Sequence, residues 1–375
     1  MDSPFRVEII PTWDRAAPRW RELQSRATGT PFQRPSWLTP WYATFGAGVE
    51  PLIVAVSDRR SGADLLLFPL VRRTDGGLRT IEFADLWITD YNAPLIGPGV
   101  PAGPEAAQAL WRAVTEALPA ADFVRFTKMP AEINGAKNPL TLLKGVRPSP
   151  LSAHLVELPE RWEDYLASLK RDMRYSLRKR WRRLSDMGDA ALLWASDEVE
   201  ALRVLDALQA MQTARFTSLG IRHVFSDTAY MRFYRELVGG GLADGSTVLT
   251  ALVVNDEIIA AFLAVADGRR CTLIRSSQLT GEKWGPLGLG KLLIEKSMQA
   301  LHARGCRVFD LSIGDHPYKY DFNAVSTPLF ELELARTWRG VPALCRERTL
   351  ALVRKSRWAA SFARTIKRGL PLFPS

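Results

Sequence analysis

Within a short stretch the chain sets Asp310, Asp315, His316, Tyr318, Lys319 and Tyr320 after an apolar run that reads as a strand. Carboxylate, imidazole, phenol and ammonium at one strand end can move protons and hold negative charge, the work of general acid–base and electrostatic catalysis. Each group also has a plainer reading. Asp310 can cap the turn after its strand, and His316 before Pro317 can be a loop residue. Lys319 is either a solvated charge or a partner for phosphate. Tyr318 either packs or, with an ordinary pKa of about 10, acts as a proton donor.

A second chemical signal lies just upstream. Gly285, Gly288 and Gly290 alternate with Pro286, Leu287 and Leu289 and lead into Lys291-Leu292-Leu293. A turn of this kind offers N–H groups and a helix start, which suits a pyrophosphate, although a plain turn reads the same way. The earlier loop from Gly97 to Pro104 holds three prolines, which remove donors where a phosphate needs them. Cys306 sits just before a strand and reads as a buried structural cysteine rather than a nucleophile. The four histidines stand apart, with no pair at metal-ligand spacing, and no metal is expected.

The elements that must position these groups follow from periodicity. Asp164 to Asp186 repeats apolar residues at helical spacing, and helices are expected over 198–216 and 227–237. Runs 247–254, 258–266 and 271–277 read as an antiparallel meander with tight turns. The glycine turn then opens a helix to about Arg304, and 307–312 is a strand. The first half repeats the order: a strand at 7–10, helices at 18–27 and 36–45, and strands at 52–56, 65–71 and 78–83. A Gly/Pro loop, a helix to Leu118 and a strand at 122–127 complete it. The proline- and glycine-rich stretch Lys128 to Pro150 is the natural boundary. Domains are therefore expected at 1–130 and 153–345, with a linker over 131–152 and a basic amphipathic tail helix over 346–375.

At 375 residues and 47% hydrophobic, the chain has enough apolar material for two cores. No apolar run reaches the length of a membrane span, and the first residues do not read as a secretory signal. Three cysteines fit a reducing compartment, so a cytoplasmic protein is expected. The net charge of +10 is local: Lys170–Asp186 holds eight basic and two acidic residues, and Leu344–Leu370 eight and one. Within the latter, Trp358, Phe362, Ile366 and Leu370 share one helical face, with basic residues mainly opposite. Such a helix can dock peripherally on the anionic inner face of a membrane, or pack back on the body.

A meander, glycine turn, helix and further strand resembles the acyl-CoA-binding core of the GNAT acyltransferases. Gly288-Leu289-Gly290 match that family's Gly-x-Gly/Ala loop, while the Gln or Arg usual three residues earlier is replaced by Gly285. The chain is similar in particular to the CelD-type (cellulose-biosynthesis, FemAB-related) branch. That likeness rests on Pro286-Leu287-Gly288, Gly305 and the segment Asp310 to Lys319. In the first half it rests on Pro31-Phe32-Gln33, Ser36-Trp37, Trp41, Pro69-Leu70 and Asp90-Tyr91.

The resemblance implies an α/β fold of α+β mixed sheets in two tandem GNAT-like domains. It implies acetyl-CoA or another acyl-CoA held at Gly285, Leu287, Gly288, Leu289, Gly290 and Lys291. Asp310, Tyr318 and Lys319 become the catalytic edge, and Asp90, Tyr91, Arg215 and His316 the acceptor contacts. The acceptor is expected to be an envelope sugar, a polysaccharide precursor or a small amine, acylated on N or O. Two alternatives stand beside this reading. One is a FemAB-like transferase using aminoacyl-tRNA, whose RNA would meet the basic helix at Arg174–Arg183, although that run lacks interleaved exposed aromatics. The other is a non-catalytic assembly protein of polysaccharide synthesis.

Overall fold

The computed structural model describes residues 3–220 and 227–355. They form two compact units, Met1–Leu151 with Pro328–Ser375, and Ser152–Thr327.

The first unit opens with β1 (Phe5–Ile10), α1 (Trp13–Gln24) and α2 (Pro35–Phe45). The meander β2 (Glu50–Asp58), β3 (Asp64–Asp75) and β4 (Leu78–Phe83) follows, with a short β5 (Leu95–Ile96) on β3. Next come α3 (Pro104–Ala117), β6 (Phe123–Pro130) and a small hairpin, β7 (Glu132–Ile133) and β8 (Ala136–Lys137). Its sheet runs β1-β2-β3-β4-β6, antiparallel except where α3 crosses over to make β6 parallel to β4. Trp13, Ala16, Ala17, Trp20 and Leu23 give α1 a buried face, so the helix tolerates Pro18 inside it rather than starting there.

The chain enters the second unit along β9 (Arg147–Glu157), then forms α4 (Trp162–Ser168), α5 (Arg171–Ser185) and β10 (Ala190–Trp194). Helices α6 (Glu198–Ser218) and α7 (Thr228–Gly241) precede the meander β11 (Thr247–Val254), β12 (Glu257–Ala266) and β13 (Arg270–Gln278). Then α8 (Leu289–Ala303) crosses over to β14 (Val308–Ile313), and a single turn, α9 (Pro317–Tyr320), follows. The sheet order is β9-β14-β13-β12-β11-β10, with β13 and β14 parallel. Each unit thus builds a meander, a crossover helix and a parallel strand, as the sequence pattern predicts. One apolar core lies in each.

Three expectations need correction. The helix expected over 164–186 is two, because Leu169 and Lys170 take extended backbone between α4 and α5. The stretch expected as a linker over 131–152 is structured, carrying the hairpin and most of β9. The second domain does not run to residue 345. Strand β15 (Val325–Ala335) pairs antiparallel with β6, Ala335 opposite Phe123, and returns the chain to the first unit. The apolar tail face at Trp358, Phe362, Ile366 and Leu370 lies outside the described residues.

Helix α10 (Val341–Lys355) follows a tight turn after β15. Asp122 braces that turn: its backbone oxygen accepts from Arg336 N, and its carboxylate from Thr337 Oγ1 at 2.8 Å and from Arg79. The Arg79 guanidinium and these donors hold the Asp122 carboxyl well below its ordinary range. A Cβ on Gly340 would stand 2.0 Å from the Asp122 oxygen. Gly340→Ala is therefore expected to cost about 1–3 kcal/mol in urea unfolding, since a backbone atom cannot swing aside as a side chain can.

Candidate active site

Pairing between β13 and β14 covers only Arg270–Thr272 against Val308–Asp310. Beyond it the two strands part, and the turn into α8 and the loop after β14 flank the opening. Both chemical signals of the sequence therefore meet in one unit.

On the α8 side, the turn is tighter than its glycines suggest. The N–H groups of Gly285, Leu287 and Gly288 are satisfied inside it, by Gly281, Trp284 and Gly285 oxygens. Leu287 and Leu289 are buried in the core. Lys291 Nζ is 2.6 Å from the Asp321 carboxylate. Of the expected cofactor residues, Gly285, Leu287 and Gly288 thus have no backbone donor to offer, and the ammonium of Lys291 already has a partner. The donors that remain belong to the first turn of α8, at Leu289, Gly290 and Lys291, where no intrahelical acceptor exists. Gly288 supplies φ of +57° at the N-cap and no capping side chain.

Two side chains that sequence reasoning missed complete this end. Arg180 of α5 donates from Nη1 to the Gly288 oxygen at 3.3 Å. Gln278, at the end of β13, lies 2.8 Å (Oε1) from where a Cβ on Gly290 would stand. Arg180 lies more than 100 residues before the turn, so only the fold reveals it, whereas Gln278 ends its strand shortly before Gly285. Together they bring a guanidinium and a carboxamide to a helix start whose own turn lacks both.

On the β14 side, Asp310 is fully buried. Its Oδ2 takes Arg270 Nη2 at 2.5 Å and Thr272 Oγ1 at 3.3 Å, and its Oδ1 takes Ser312 N at 2.7 Å. Lys319 is buried too, donating to the Ser312 and Ile313 oxygens at 2.9 Å each. These two residues grip Ser312, a non-glycine at φ +64° where β14 slips register against β9. The expected proton-accepting role of Asp310 and phosphate-holding role of Lys319 do not fit that geometry. A carboxylate without solvent access and already bound to a guanidinium cannot meet an acceptor, and the ammonium is committed to carbonyls. Both position the strand end.

Tyr318 remains available, half-buried against the core, and burial raises its phenol pKa. His316 is exposed and stacks on Tyr318, ring centroids 6.1 Å apart.

The group that sequence reading passed over is His154 on β9. It is fully buried, with Nε2 3.4 Å from the Tyr320 hydroxyl and 3.7 Å from Asp315 Oδ1. Tyr320 donates to Asp315 at 2.8 Å, and the Asp315 side chain is 74% exposed. Burial, then the charge of Lys319, lower the imidazole pKa, so His154 is neutral near pH 7. A buried neutral imidazole is thereby linked to solvent through a phenol and a carboxylate.

The other expected contacts lie on other elements. Tyr91 is buried in the first unit, its ring 5.7 Å from Phe32, which removes it from any acceptor. Asp90 precedes it there, partly exposed, and Arg215 is exposed on α6. Cys306 is buried with its thiol pushed up to about 11, and burial raises the Cys271 thiol well above its ordinary value, so neither is an activated nucleophile. Among the described residues, no cluster of His, Cys, Asp and Glu has metal-holding geometry.

Residues 171–320 match the family described as the acetyltransferase (GNAT) domain. This segment resembles a GNAT domain. It spans α5 to α9 and so contains both sides of the opening. No curated protein matches the chain in sequence. The crystal structure of FemX aligns over 88% of this chain and 98% of its own, with TM-score 0.58 and 12% identity. A C-terminal domain from Agrobacterium fabrum, of a protein named as a lysylphosphatidylglycerol synthetase, aligns over 90% and 97%, with TM-score 0.53 and 13% identity. At such identities the likeness is one of fold. Arg180 on α5 lies within the matched residues, and His154 on β9 lies before them.

Proposed function

We propose that the protein is an acyl-CoA-dependent acyltransferase acting on an amine or hydroxyl of a sugar, a glycan precursor or a small amine. The reading is carried by the uncapped start of α8, with Arg180 against it, beside the diverging β13 and β14 within the GNAT-like segment. Helix dipole, unpaired first-turn N–H groups and a guanidinium make a donor set that fits a pyrophosphate. Leu289, Gly290, Lys291 (through N–H) and Arg180 would hold it. Acyl-CoA, when bound, supplies an activated carbonyl. Tyr318 Oη, kept protonated by its raised pKa, is the proton donor for the departing sulfur. Tyr320, half-exposed, can touch an acceptor and take its proton while passing its own hydroxyl proton to His154 Nε2, with Asp315 orienting the phenol.

Calorimetry against acetyl-CoA, longer acyl-CoAs and charged tRNA tests the cofactor class. Acyl-CoA binding is expected, weakened about 10–100-fold in Arg180→Met, because a hydrogen bond to a charged group is lost. Gly288→Ala should weaken it as well, since its Cβ would meet Arg180 Nη1 at 2.5 Å and displace it. Unchanged affinity in both folded variants would place the cofactor elsewhere.

A second reading has one observation in its favour. Tyr175 on α5 is 61% exposed, with Lys179 Nζ 5.9 Å from its ring, among the exposed Arg171, Arg178, Arg182 and Arg183. The sequence suggested that this basic face lacks an exposed aromatic, and it does not. A stacking ring among cations suits single-stranded RNA, hence an aminoacyl-tRNA donor. Binding of charged tRNA and no acyl-CoA would select that reading, and binding of neither would favour an assembly role.

A further inference from the structure

The braced turn after β15 carries an indole with no packing role. Trp338 is 82% exposed, yet its neighbours are fixed: Arg336 Nη2 donates to Thr115 O at 3.2 Å and Arg339 Nη2 to Gly77 O at 2.9 Å. Gly340 is pressed against Asp122, so the turn cannot relax to bury the ring. From Val341 to Leu350, α10 buries none of its side chains, although they include Val341, Leu344 and Leu350. Arg336, Arg339, Arg346 and Arg348 are all exposed around this apolar set, and the only acid nearby on α10, Glu347, is half-buried. Residues 356–375 add four basic and no acidic residues.

We propose that Trp338 and the first turns of α10 form a docking surface for an anionic phospholipid bilayer, independent of the acyl-transfer chemistry. An indole held rigidly in water at a cost is suited to the headgroup boundary, where its ring is buried and its N–H stays wet. The arginines supply a charge complementary to anionic headgroups, each worth more as ionic strength falls. A helix that leaves its leucines half-covered gains by lying in that interface. Nucleic acid is less well matched, because a single indole beside aliphatic side chains gives no continuous stacking platform.

The test is co-sedimentation of the full chain with phosphatidylcholine vesicles, with and without phosphatidylglycerol. Binding is expected only with the anionic lipid and is expected to fall steeply in added salt. Trp338→Ala should weaken it about tenfold with an unchanged melting curve, because the exposed ring contributes nothing to the core. Trp338→Phe should retain most of it. Quenching by brominated lipid should be smaller in Trp338→Phe than in the parent. Truncation after Lys355 should weaken binding and leave it detectable. Equal binding by Trp338→Ala and the parent overturns the proposal. So does equal binding to neutral vesicles, complete loss on truncation, or no vesicle binding with Trp338-dependent binding to RNA.

Discussion

Asp310→Asn is expected to lower the stability of the second unit by about 3–5 kcal/mol, the usual cost of removing one partner from a buried ion pair. Arg270 would keep its charge at a position where its side chain is only 16% exposed, facing a neutral amide. Ser312 N–H would lose its charged acceptor at the left-handed residue that ends the strand. Urea unfolding followed by circular dichroism reads the change. A variant that unfolds like the parent while losing turnover would return Asp310 to a chemical role and refute the positioning assignment.

Tyr320→Phe and His154→Gln should each reduce kcat by about 10²–10⁴, the range of general acid–base assistance, with little change in acyl-CoA affinity. The pH dependence separates chemistry from structure. The folded imidazole pKa is lowered, so His154 accepts a proton only when pH falls below the ordinary histidine value of about 6.5. Activity in the parent should therefore hold down to that pH and drop below it, and the His154→Gln residue of activity should lack this limb. Stability follows the same sign. The unfolded chain binds the proton first, so the contribution of neutral His154 is present above the unfolded pKa and is lost as pH falls. A parent and His154→Gln with parallel pH profiles would show that the imidazole takes no part.

Much of the fold could be read because its cores announce themselves by period. The meander at β11 to β13 alternates β-branched and apolar residues between Asn255-Asp256 and Asp267-Gly268, and the strands were placed to within a residue or so. Strands β9 and β15 were not legible, for physical reasons. In β9, Pro148 and Pro150 look like a boundary, yet a strand can carry prolines where the missing donors are not needed. In β15, Glu331 and Glu333 look like a solvated surface, yet both are buried against Arg147. The site was half legible. Residue types and spacing singled out one strand end and one helix start, and the fold brings both into the same unit. They could not say which side chains turn inward, so Asp310 and Lys319, which brace the backbone, looked the same as groups that face a substrate. His154 contributes from a strand more than 150 residues away from its partners, and no local pattern marks such a meeting.

The return of the chain along β15 has a consequence for synthesis. Strand β6 acquires its antiparallel neighbour only after the whole second unit has been made, about 200 residues later. At about 5–20 residues per second, that leaves one edge of the first sheet open for roughly ten to forty seconds on the ribosome. The second unit, by contrast, is continuous in sequence and can close on itself as it emerges. A chain stopped at Thr327 should therefore yield a folded second unit beside a first unit lacking its last strand, Asp122 without Thr337, and the braced turn gone. The unit made first would be the one finished last.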